Sequence, residues 1–105
     1  MKLRLPTDFL ILESLQERGR NVAPNLAYHT GKSRKNVNTR LPVLEDYGLV
    51  RKIGPAERAG LYEITDLGEA ALACRAQYRH DRTDWDELVH RQAQMAADGG
   101  QEGSR

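Results

Sequence analysis

Between Lys32 and Arg40 every residue except Val37 carries a hydrogen-bonding side chain, and none is acidic. Lys32, Arg34, Lys35 and Arg40 are cations suited to phosphate oxygens, and arginine adds a planar fork. Asn36, Asn38 and Thr39 supply directed donors and acceptors. Asparagine matches the edge of adenine and arginine that of guanine, each good bidentate pair giving roughly 1–3 kcal/mol of discrimination. Ser33 stands where a helix would begin, so its hydroxyl and the free N–H groups beside it suit a phosphate. The competing reading is an ordinary solvated face. Two features weigh against it. No acid occurs from Gly31 to Leu44. Asparagine and threonine are poor helix formers that a purely structural helix has no reason to prefer.

These groups work together only if a helix displays them. Val37, Leu41 and Leu44 recur at spacings of four and three, an apolar stripe. At about 100° per residue, Lys35 and Thr39 fall opposite Val37. Asn36 and Asn38 lie to either side of that pair, and Arg34 and Arg40 flank the stripe. Ser33 is the expected N-cap and Gly48 the stop. Pro42 falls on the outer face and predicts a kinked or loosened helix rather than a break.

The flanking elements read as follows. A first helix spans Asp8 to Arg18, capped by Thr7 or Asp8, with Phe9, Leu12 and Leu15 on one face and Ile11 alongside. Arg20-Asn21-Val22 is a short extended link. Ala23 to His29 is a two-turn helix with Leu26 and Ala27 inward, and Thr30-Gly31-Lys32 is the turn. Leu49–Ile53 and Leu61–Ile64 read as strands joined by a turn-rich loop, a hairpin. A fourth helix runs from Leu67 to about His80. Thr83 caps a fifth, amphipathic segment over 84–97, and 98–105 reads as disordered. The hairpin adds Lys52 and Arg58 as possible groove or phosphate contacts, although an exposed hairpin also uses such residues for solubility.

Helix, turn, helix with a bare polar face, then hairpin is the grammar of a helix-turn-helix. Residues 7 to about 80 resemble the winged helix-turn-helix transcription regulators, and more closely the phage phi-H repressor-like proteins of haloarchaea. GRNVAPNLA at 19–27, SRKNVNTRLPVLEDYGLVRKIGPAERAGLYEIT at 33–65 and DLGEAAL at 66–72 carry the likeness. It implies a mainly α fold with a three-helix core and a β-wing over residues 1–80, sequence-specific DNA binding, repression, a dimer, and an archaeal or viral source.

Composition limits the alternatives. The chain has 105 residues, 39% hydrophobic, 30% charged, with net charge +1. That allows one small domain and an appendage. No apolar run approaches the roughly 20 residues of a membrane helix. The single cysteine, Cys74, excludes an internal disulfide, fits a cytoplasmic setting, and reads as a small apolar packing residue. His29, His80 and His90 lack metal-ligand spacing. No nucleophile–base set or phosphate loop is legible, so neither an enzyme nor a cofactor or metal is expected. Trp85, Leu88 and Val89, with Leu72 and Tyr78, form an apolar surface that either folds back on its own domain or meets a second copy. The second reading is preferred, because readers of this kind gain from two half-sites. The leading function is a dimeric double-stranded DNA-binding repressor that reads the major groove through residues 33–47 and uses the wing, 51–62, beside it. The alternative is a protein-binding adaptor that does not touch DNA.

Overall fold

Buried apolar residues on every helix meet in one core, and their spacing sets how the helices lie. In the computed structural model, residues 1–54, 60–78 and 83–103 are described. Helix α1 (Thr7–Arg18) buries Ile11, Leu12 and Leu15. Strand β1 (Asn21–Val22) leads into α2 (Ala23–Thr30), which buries Leu26 and Ala27. Helix α3 (Arg34–Asp46) buries Val37, Leu41 and Leu44. Strands β2 (Val50–Ile53) and β3 (Leu61–Ile64) follow, then α4 (Asp66–Ala73), a 3₁₀ turn (Arg75–Gln77) and α5 (Thr83–Gly103). The fold is mainly helical with a small antiparallel sheet in the order β1-β3-β2.

Four features differ from the sequence reading. Neither Thr7 nor Asp8 caps α1. Pro6 occupies the N-cap without a side-chain bond, and Thr7 and Asp8 are buried inside the first turn. The link at Asn21–Val22 is a strand, paired to Tyr62 and Leu61. Two residues are too few for periodicity to reveal. Helix α4 stops at Ala73, well short of His80, because the chain tightens into the 3₁₀ turn. His80 itself lies outside the described residues. At the other end, α5 continues to Gly103, past the Ala97 end expected for it and into the stretch read as disordered. Extending a formed helix costs far less than nucleating one.

The join between hairpin and α4 is tight. The Thr65 hydroxyl accepts from the Gly68 N–H at 3.0 Å and donates to the Gly48 carbonyl at 2.5 Å. Gly68 is pressed against the chain. A Cβ there would run into the Leu49 carbonyl oxygen and meet Ile64 Cγ1 at 2.6 Å. Gly68→Ala is therefore predicted to lower stability by about 2 kcal/mol or more, measured by urea denaturation. An unchanged unfolding midpoint would contradict this packing.

Candidate nucleic-acid interface

Helix α3 is held at both ends by its own chain. At its start the Ser33 hydroxyl accepts from the Asn36 N–H at 3.1 Å. Its hydroxyl proton remains a donor for a phosphate. At its end, Gly48 takes a left-handed conformation, φ +80°. The Gly48 N–H then donates to Glu45 O and the Leu49 N–H to Leu44 O, both at 2.9 Å. This is a Schellman closure, which needs a residue free to adopt positive φ. Pro42 lies inside the helix without interrupting it.

The turn before α3 is equally fixed. Gly31 has φ +72°, and its N–H donates to Ala27 O at 3.0 Å. Thr30 Oγ1 donates to Leu26 O at 2.7 Å and accepts from the Lys32 N–H at 3.3 Å. Helices α2 and α3 are thus joined by a short bonded corner.

Burial of Val37, Leu41 and Leu44 turns the polar residues outward. Ser33, Arg34, Lys35, Asn36, Asn38 and Thr39 are all exposed, and Lys32 is half-buried. Thr39 Oγ1 donates to Lys35 O at 2.8 Å. Its donor is therefore spent, leaving a methyl group and lone pairs. On the hairpin, Lys52 is exposed, with Nζ 5.9 Å from the centroid of its cross-strand partner Tyr62. Its neighbour Arg51 pairs instead with Glu63. Arg58 lies outside the described residues.

Arg40 does not belong to this face, contrary to the sequence reading. Its Nε donates to Asp8 Oδ1 at 2.9 Å and its Nη2 to Asp8 Oδ2 at 2.8 Å. Asp8 is fully buried and the Arg40 side chain is 11% exposed. Asp8 also accepts from the Arg4 N–H at 2.7 Å. The hydrogen bond to Asp8 raises the Arg40 pKa, outweighing the opposing effect of burial. The physical reason is position. Arg40 flanks the buried stripe, so its head group falls over α1 and needs an anion there. Sequence spacing could not supply the partner, which lies 32 positions away. A cation beside an apolar stripe was the available signal.

The apolar surface assigned to a second copy is also used within the chain. Leu72, Trp85 and Val89 are buried in the common core, and Leu88 and Tyr78 are half-buried against it. Tyr78 stands edge-on to Trp85 at 4.9 Å and to Phe9 at 5.9 Å. The Trp85 indole N–H donates to Cys74 O at 2.9 Å. Folding back gives Trp85 of α5 an aromatic slot and an acceptor for its buried N–H.

Cys74 is buried, which raises its thiol pKa. Among the described residues no group of His, Cys, Asp and Glu could hold a metal ion. No helix among them is long and apolar enough to cross a membrane.

A hairpin beside a helix–turn–helix with an outward polar helix is a winged helix-turn-helix. Residues 4–51 match the family model described as winged helix-turn-helix DNA-binding. That match ends within β2, so it covers α1 to α3 and the start of the hairpin. It supports a DNA-binding regulator. No curated protein and no solved structure matches the chain.

Two outcomes follow from the buried contacts. Arg40→Ala leaves the Asp8 carboxylate buried without its cation and is expected to cost about 3 kcal/mol of stability, read from chemical denaturation. A change below about 0.5 kcal/mol would mark the pair as an exposed-type bridge. Cys74 is expected to react with a thiol reagent only at the rate of unfolding, because the thiolate is the nucleophile and burial disfavours it. Burst labelling of the folded chain at neutral pH would contradict this.

Proposed function

We propose that the chain is a transcription regulator that binds double-stranded DNA sequence-specifically in the cytoplasm and acts as a repressor. One observation supports this above the others. The outer side of α3 from Arg34 to Pro42 is free of acids, and its exposed face is set with Arg34, Lys35, Asn36 and Asn38. In this reading α3 enters the major groove, Asn38 and its neighbours meet base edges, and Ser33 and Lys32 meet phosphates. Lys52, with Arg58, serves the wing side. The narrower likeness to the haloarchaeal phage phi-H repressor-like proteins is part of the same proposal.

Binding as a homodimer belongs to it as well, since paired half-sites multiply both affinity and selectivity. With Trp85 and Val89 inside the monomer, the pairing surface moves to the outer side of α5. Met95 there is 60% exposed.

The test is selection of bound sequences from random DNA, followed by two variants. Asn38→Ala is expected to change which sequences are selected. Lys32→Ala is expected to weaken selected and random duplexes alike and to flatten the salt dependence of binding. Equal losses on both duplexes for Asn38→Ala would remove base reading from the proposal.

A further inference from the structure

Tyr28 stands out from the rest of the helix-turn-helix. Its side chain is 82% exposed, the largest value among the exposed large hydrophobic residues described. It touches no part of the core. Its neighbours Leu26 and Ala27 point inward, so the backbone of α2 is anchored and Tyr28 is carried on its outer side. The Tyr28 and His29 rings meet edge-on, centroids 5.2 Å apart. The ring is therefore supported on one flank while its hydroxyl is free of any protein contact described.

The electrostatic setting is one-sided. No Asp or Glu occurs from Arg18 to Leu44, a stretch that contains α2, the Gly31 corner and most of α3. Tyr28 lies one turn before that corner and two residues before Thr30, whose bonds lock it. Tyr28 thus shares an acid-free stretch of chain with Lys32, Ser33 and Lys35, on the helix that the bonded corner joins to α3.

We propose that Tyr28 is a DNA-backbone contact, its hydroxyl donating to a phosphate oxygen beside the groove that α3 occupies. The inference rests on the DNA-binding reading above and assigns a part of the interface outside α3 and the wing. A phenol is neutral. It adds a hydrogen bond to an anion without displacing a counterion, so it contributes affinity but no salt dependence. This separates it from the lysines of α3. A phosphate contact also carries no sequence information.

The experiment compares the full chain with Tyr28→Phe, which removes one oxygen at an exposed site and leaves the ring. Both are titrated against a duplex selected by the unaltered chain and a random-sequence duplex, at several salt concentrations. Tyr28→Phe is expected to weaken binding to both duplexes by roughly tenfold, with parallel plots of log affinity against log salt. Unfolding midpoints of the two chains should coincide. Unchanged affinity overturns the proposal. A loss confined to the selected duplex overturns it too, since that would make Tyr28 a reader of bases. Failure of the unaltered chain to bind either duplex overturns the DNA-binding reading, and this contact with it.

Discussion

The two-sidedness of α3 is the constraint on which the rest of the structure depends. Val37, Leu41 and Leu44 are essentially fully buried. Each is surrounded by α1, α2 or the hairpin, so the helix has one allowed roll about its axis. The Asp8–Arg40 pair locks that roll. A guanidinium fork bound to both oxygens of a fully buried carboxylate does not tolerate rotation of the helix that carries it. Arg34, Lys35, Asn36, Asn38, Thr39 and Pro42 are then turned to solvent. Pro42 lies on that outer side, with its ring facing water rather than the core.

Helix α5 completes the same core from the far side. The three-helix unit alone leaves Phe9 and α4 partly uncovered. Trp85 and Val89 close that gap, and Tyr78 joins the two rings in an edge-to-face trio. The arrangement has a second consequence. Past the end of α4 at Ala73, the Cys74 carbonyl accepts both the Gln77 N–H at 3.0 Å and the Trp85 indole N–H at 2.9 Å. The turn that follows α4 and the fold-back of α5 thus share one acceptor. The residues before α1 are drawn in as well. The Tyr47 and Tyr78 hydroxyls accept the N–H groups of Lys2 and Leu3, each at 3.0 Å.

Much of this was legible in the sequence, because periodicity and caps are local. The stripe of α3, its Ser33 cap and its Gly48 stop, the α2 corner and both long strands follow from residue type and spacing. The outward set from Ser33 to Thr39 follows with them. What sequence could not reveal is contact across distance. Arg40 looks like a surface cation until Asp8 is placed beneath it. Trp85 and Val89 carry an amphipathic pattern that does not say which apolar surface it will meet. Strand β1 is too short to have a pattern and exists only because β3 offers an open edge. Thr39 looks like a free donor until its hydroxyl is seen bonded one turn back, to Lys35 O.

The most direct measurement is an NMR titration of the isotope-labelled chain with a duplex recovered from random DNA by the chain itself. Backbone and side-chain amide signals of residues 33–39 should move most, while those of Trp85 and Val89 stay in place. Shifts concentrated on α4 and α5, with Asn36 and Asn38 unmoved at saturation, would contradict the account.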